Sequence, residues 1–116
     1  MEKTLKKLLL KQRKENNEEL IMVDRNKRIK INLQNTECVS KGIYSNLKCP
    51  KCDMETAEVY FSKHKYRESY GVWFECQNCG NVEHMSCYEK PDGFTTTRLS
   101  NKYQEIDERA WKAEDT

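Results

Sequence analysis

At 116 residues the chain is sized for one domain, and with 36% hydrophobic against 34% charged residues it can bury only a thin apolar core. No run approaches the roughly 20 apolar residues that span a bilayer, and Leu8-Leu9-Leu10, flanked by lysines, falls far short of a secretory core segment. The net charge of +2 is unevenly spread: residues 1–35 carry +5, residues 36–90 carry −1 and residues 91–116 carry −2, a polarity that suits a basic end meeting nucleic acid.

Residues 3–14 are strong helix formers with Leu5, Leu8 and Leu9 at helical spacing, which predicts a short basic amphipathic helix ending near Asn16-Asn17. Leu20 to Val23 is a compact apolar run, Asp24 to Lys27 is turn-like, and Ile29, Ile31 and Leu33 alternate with polar residues. That pattern predicts a β-hairpin, with a helix running on to Val23 as its competitor. Gly42 marks a turn before Ile43, Tyr44 and Leu47. Ala57 to Ser62 and Tyr70 to Cys76, rich in β-branched and aromatic residues, read as two strands joined by a charged tip, His64 to Ser69. A third strand is expected from about Val82 to Tyr88, and Pro91-Asp92-Gly93 supplies the turn that closes the sheet. Thr97 is the expected N-cap of a terminal helix whose apolar stripe is Leu99, Tyr103, Ile106 and Ala110, with Trp111 beside it. The expected fold is small α+β: a central three-stranded antiparallel sheet with a basic N-terminal helix, a β-hairpin and a C-terminal amphipathic helix. Its parts are residues 1–47, the ribbon over 48–90 and the terminal helix over 91–116, within one compact domain.

Six cysteines in a chain this short mean either a disulfide framework or a metal site. With no export signal the thiols are expected to stay reduced, in cytoplasm or nucleus, and paired C-x-x-C segments then read as metal ligands. The pairs are Cys49-Pro50-Lys51-Cys52 and Cys76-Gln77-Asn78-Cys79-Gly80, with 23 residues between them, enough for two strands and a tip. Each pair suits a tight knuckle with both sulfurs facing inward, stiffened by Pro50 in the first and eased by Gly80 in the second. Two facing knuckles offer four thiolates in a tetrahedron, the closed geometry of structural zinc, whose negative charge Lys48 and Lys51 offset in part. A redox dithiol is normally single and set in a βαβ unit, and a catalytic zinc keeps an open position; neither pattern is present. Iron remains open as an occupant of the same cage. Cys38 and Cys87 are expected to be half-buried thiols, the alternative being a second site joining Cys38 to His84 and Cys87 of His84-Met85-Ser86-Cys87. His64 is expected to be solvated.

The two pairs at ribbon spacing, the strand Val72-Trp73-Phe74 running into the second pair, and Cys79-Gly80-Asn81 leaving it make residues 49–87 resemble a known zinc ribbon. It is that of transcription elongation factor S and of the small zinc-ribbon subunits of multisubunit RNA polymerases. In that family cleavage stimulation rests on an adjacent Asp-Glu at the hairpin tip. Counting back from Cys76, the matching positions are Arg67 and Glu68, so one charge is reversed where a second metal would be recruited. The aromatic residue of the family's third strand falls on Glu83. The resemblance implies the ribbon fold and admits RNA polymerase as a partner, without the cleavage activity.

Two functions are expected from these features. One is a non-enzymatic, structural-zinc module associated with nucleic acid or a transcription complex, touching its partner through Lys63, Lys65, Tyr66 and Arg67. Lysine and arginine neutralise phosphates there, and tyrosine stacks on bases. A solvated helix face accounts at least as well for the lysines of the N-terminal segment, and an ordinary polar β-turn is the alternative for the tip. The other is a small protein-binding inhibitor of the antitoxin or immunity type, using Leu5-Leu8-Leu9 and Tyr103-Ile106-Trp111. No Ser/His/Asp set, phosphate loop or H-E-x-x-H helix is visible, so neither an enzyme nor a small-molecule substrate is expected, and no membrane partner either.

Overall fold

Burial along residues 31–39 follows a helix and not a strand. Ile31, Asn35 and Val39, spaced i, i+4 and i+8, are 5%, 3% and 2% exposed, whereas Leu33 is 64% exposed. In this computed structural model, which describes residues 25–114, residues 25–40 are helical (α1). The chain divides into two compact units, residues 1–30 and 31–116, each taken by itself; the described part of the first is the helical stretch 25–30. The described part of the expected turn, Arg25 to Lys27, and the second arm of the hairpin, Ile29 to Leu33, are therefore corrected to helix. An alternation of three apolar residues is too short to exclude a helical period, and the surrounding Lys, Arg and Gln are good helix formers. The predicted helix over 3–14 and the run Leu20 to Val23 lie outside the described residues.

Three antiparallel strands follow, β1 (Ala57–Lys63), β2 (Tyr70–Cys76) and β3 (Val82–Cys87), in the order β1-β2-β3. Register pairs Ala57 with Cys76 at one end of the sheet and Lys63 with Tyr70 at the other. Leu47 bridges to Ala57 at the first end. The four paired cysteines thus gather at one end and the His64–Ser69 tip stands at the opposite one.

Because strand side chains alternate, the sheet has two distinct faces. Val59, Phe61, Val72 and Phe74 point to one, where Val39 of α1 and Leu47 complete a core edged by Tyr44, Met85, Cys87 and Phe94. Each such fully buried Val or Phe contributes about 1.5–3 kcal/mol. The other face carries Ser62, Gly71, Trp73 and His84 and is covered by α2 (Asn101–Glu114). Helix, three-stranded antiparallel sheet, helix: the architecture is α+β, as expected.

Helix α2 buries Tyr103, Asp107 and Trp111, again at i, i+4 and i+8. Only Tyr103 belongs to the expected stripe, since Leu99 and Ile106 are 42% and 45% exposed. The helix is turned by a polar anchor: Asp107 accepts hydrogen bonds from the Ser62 hydroxyl and from Trp73 Nε1, the latter at 2.9 Å. A buried carboxylate left without donors costs more than a partly exposed Ile. Gly71 makes room for this approach, because a Cβ there would collide with Asp107 Oδ2 and Ser62 Oγ. The start of the helix also differs from expectation. Thr97 sits in a 3-10 turn (Thr96–Arg98) capped by Thr95, and it is Ser100 that precedes α2, its carbonyl accepting from Gln104 N–H at 2.8 Å.

The outer edge of β1 is closed along its length. Leu47 and Ala57 exchange two backbone hydrogen bonds at 2.8 Å, Tyr44 O accepts from Val59 N–H, Arg98 Nε donates to Val59 O at 3.0 Å, and Ser100 N–H donates to Phe61 O. Gln104 then satisfies both backbone groups of Lys63, at 2.8 and 2.7 Å. An edge so occupied cannot template another strand.

Candidate metal centre

The two cysteine knuckles repeat one backbone design. Asp53 N–H donates to Cys49 O and Gly80 N–H to Cys76 O, both at 3.0 Å; Cys49 N–H donates to Met54 O and Cys76 N–H to Asn81 O, both at 2.9 Å. The residue that closes each turn has positive φ, +62° at Asp53 and +78° at Gly80. Glycine adopts that conformation freely and aspartate is among the few other residues that tolerate it.

Facing each other, the knuckles bring the sulfurs of Cys49, Cys52, Cys76 and Cys79 within 4.8 Å of one another. The Cys49–Cys79 and Cys52–Cys76 distances are both 3.6 Å. Disulfide sulfurs lie about 2.0 Å apart, so these are thiols. A tetrahedron with metal–sulfur bonds of about 2.3 Å has sulfurs about 3.8 Å apart, which the cluster matches. The four cysteines therefore form a group that can hold one metal ion, and soft thiolates in this geometry fit zinc or iron.

The ionisation of the sulfurs is already uneven. Burial pushes the Cys49 thiol up to about 12 despite backbone N–H groups that favour its thiolate. For Cys76 burial acts the same way but is outweighed by hydrogen bonds from the Thr56 hydroxyl, 3.1 Å away, and from the N–H groups of Cys79 and Asn78, which bring it to about 6. The Met54 N–H lowers Cys52 against the smaller effect of burial. Cys49 and Cys76 are buried, Cys52 is half-buried and Cys79 is exposed, so the cage opens to solvent on one side.

A residue of α1 holds the approach to the first knuckle. The amide of Asn35 donates to Lys48 O at 2.8 Å and accepts from Lys48 N–H at 3.2 Å, one residue before Cys49. With its side chain buried, Asn35 ties the helix to the cage directly. Nothing in the one-dimensional pattern singled it out. Asp53 was legible in principle, because Cys49-Pro50-Lys51-Cys52-Asp53 aligns with Cys76-Gln77-Asn78-Cys79-Gly80.

The remaining cysteines do not build a second cage. Among the described residues no other group of three or more His, Cys, Asp or Glu comes within ligating reach. His84 lies on the α2 face, with Nε2 3.3 Å from Asp107 Oδ1, while Cys87 packs against the core on the opposite face, where burial pushes its thiol up. Glu83, which stands where the resembling family has an aromatic residue, is a buried carboxylate accepting from Asn32 Nδ2 and Asn81 Nδ2 at 3.1 and 3.2 Å.

At the far end, the tip residues divide by environment. Tyr66 is 90% exposed. Lys65 pairs with Glu108 at 3.8 Å and Arg67 with Glu114 at 3.3 Å, and Lys63 Nζ lies 5.9 Å from the centre of the Tyr70 ring. Glu68 accepts from the Tyr70 hydroxyl at 2.9 Å. His64, expected to be solvated, is half-buried: its ring packs on Trp111 with 5.1 Å between centroids, and its Nδ1 accepts from Tyr66 N–H at 3.0 Å.

One further cluster was not foreseen. Ser62, His84 and Asp107 meet under α2, with Trp73 stacked between His84 at 3.8 Å and Tyr103 at 4.3 Å. The Ser62 hydroxyl donates to the carboxylate, and Ser62 is wholly buried, so the trio anchors the helix to the sheet. Comparison with known proteins returns no match: no family model, no curated protein and no solved structure corresponds to the chain. Among the described residues no helix is long and apolar enough to cross a membrane.

Proposed function

We propose that the protein is a non-enzymatic module in which one structural zinc ion, held by Cys49, Cys52, Cys76 and Cys79, fixes a short ribbon whose opposite end binds nucleic acid. The observation that carries this reading is the tip itself. Tyr66, with its ring in solvent, stands between Lys65 and Arg67, a stacking surface flanked by two cations. The tip stands clear of the helix-covered faces of the sheet and of the closed β1 edge.

Four thiolates at tetrahedral spacing fill every coordination position of the ion, which supports a structural and not a catalytic metal, and zinc is the usual ion of such structural four-cysteine sites. The likeness to the ribbons of transcription elongation factor S and polymerase subunits adds a transcription complex as the setting for such binding. It brings no cleavage activity, since Arg67 and Glu68 stand in place of the acidic pair. The non-enzymatic reading is supported by Ser62 and Asp107, which are spent on packing. An inhibitor acting through its helices is less favoured at α2, where Tyr103 and Trp111 are buried within the protein's own fold and only Ile106 of the three is exposed; Leu5, Leu8 and Leu9 lie outside the described residues.

A mobility-shift titration with single- and double-stranded oligonucleotides across salt concentrations tests the proposal. Binding that weakens with salt, and weakens further in Lys65→Gln and Tyr66→Ala, is expected. Absence of binding at low salt sinks it.

A further inference from the structure

Tip and helix α2 meet in register. Gln104 takes both backbone groups of Lys63, Glu108 faces Lys65, Trp111 packs on His64, and Glu114 faces Arg67. Positions 104, 108 and 111 follow one another at i, i+4 and i+7, with 114 one turn further, so a single side of the helix runs along the tip. Two carboxylates stand against Lys65 and Arg67 where a polyanion's phosphates would stand.

These pairs are exchangeable. The side chains of Lys65 and Glu108 are 69% and 39% exposed, and those of Arg67 and Glu114 are 41% and 68% exposed. Exposed pairs of this kind are weak and salt-sensitive. Helix α2 does not depend on them for its position, because Tyr103, Asp107 and Trp111 hold it to the sheet. Glu114 can swing away while the helix stays in place, and Glu108, whose Oε1 also accepts from Gln104 Nε2 at 3.0 Å, can give up the longer 3.8 Å contact with Lys65 by a small side-chain rotation.

We propose that α2 is a phosphate-mimicking shield, and that single-stranded nucleic acid binds the tip by displacing Glu108 and Glu114 from Lys65 and Arg67. The inference rests on the nucleic-acid reading above and adds its regulation. A single strand is the partner because Tyr66 offers a stacking surface for an unpaired base even while the adjacent cations are covered. Anything that draws the two acids away from the tip raises affinity.

The test compares wild type, the double variant Glu108→Gln/Glu114→Gln, and a control, Glu55→Gln/Glu105→Gln. The control removes the same charge from exposed positions, one beside the cage and one on the outward side of α2. Each folded protein, checked by its zinc content and melting temperature, is titrated against a fluorescent oligothymidylate over a range of salt. The shield variant is expected to bind about 3–10-fold tighter than wild type at low salt, with the gain shrinking as salt rises and the control staying with wild type. Adding Lys65→Gln and Arg67→Gln to the shield variant is expected to abolish the gain. Equal affinities for wild type and shield variant, or an equal gain in the control, overturn the shield while leaving nucleic-acid binding intact. Failure of every protein to bind overturns both.

Discussion

Asp53 and Gly80 occupy the same place in the two halves of the cage, each closing a knuckle with positive φ, +62° and +78°, four residues after the first cysteine of its pair. Nothing lies within 4 Å of a Cβ built on Gly80, so side-chain crowding plays no part in its conformation. Gly80→Ala is therefore a pure test of backbone strain. It is expected to cost about 1–2 kcal/mol in urea unfolding of the metal-loaded protein, whereas Asp53→Gly changes stability little.

Metal removal reaches further than either substitution. One zinc per chain is expected, and chelation at neutral pH is expected to collapse the near-UV circular dichroism, because the knuckles have no apolar core of their own. Cys49→Ser and Cys76→Ser lose the metal, while Cys38→Ser and Cys87→Ser keep one ion per chain. A chelated protein with an unchanged near-UV spectrum would show that the fold stands without the cage.

Asn35 links the core helix to the start of the first cysteine knuckle. Its replacement by alanine removes both hydrogen bonds to Lys48 and leaves two backbone groups to find other partners, at a cost of about 1–3 kcal/mol. Zinc affinity is expected to fall in parallel, read by competition with a chromophoric chelator. A loss of stability with unchanged affinity would mean that the clamp serves the helix and not the cage.

Asp107 gives the protein a defined acid response. Burial raises its pKa, but hydrogen bonds from His84, Ser62 and Trp73 together with the charge of His84 win, holding the carboxyl below its ordinary value of 3.8. A folded-state pKa below the unfolded one means that the group stabilises the fold fully above the ordinary value and loses that contribution as pH falls through the depressed one. The stability difference between wild type and Asp107→Asn is thus expected to shrink as the pH falls below about 4. Acid also releases the metal, but it does so in both proteins, so their difference isolates the carboxylate. A difference that fails to shrink from pH 4 downwards contradicts the assignment.

Gly71 is the counterpart on the sheet. A methyl group there meets Asp107 and Ser62 together, so Gly71→Ala is expected to lift α2 from β2 and to destabilise the protein by about 3 kcal/mol or more. The fluorescence of Trp73, which lies under the helix, is expected to shift towards that of an exposed indole. An unshifted spectrum would show that the helix keeps its seat.

The pattern of residues along the chain was enough for the strands and the cage. Two C-x-x-C pairs, flanked by aromatic runs of the right length, specify the ribbon through local chemistry, and β2 appears at the predicted residues, Tyr70–Cys76. From Ile29 to Leu33 the pattern alone does not separate helix from strand, because short alternation fits both periods. Helix α2 was predicted with a different face, since an apolar stripe gives no weight to an aspartate.

What the sequence by itself determined is what neighbouring residues decide: knuckles, strands, a charged tip, and two pairs of cysteines spaced to act as ligands. Tertiary structure alone decided which side of each helix is buried and what the tip meets. Asp107 turns α2 because Ser62 and Trp73 wait on the sheet with donors, and the same turn sets Glu108 and Glu114 against Lys65 and Arg67. Such pairings join residues 34 to 47 positions apart, and their energies depend on burial and direction, which exist only once the chain has folded.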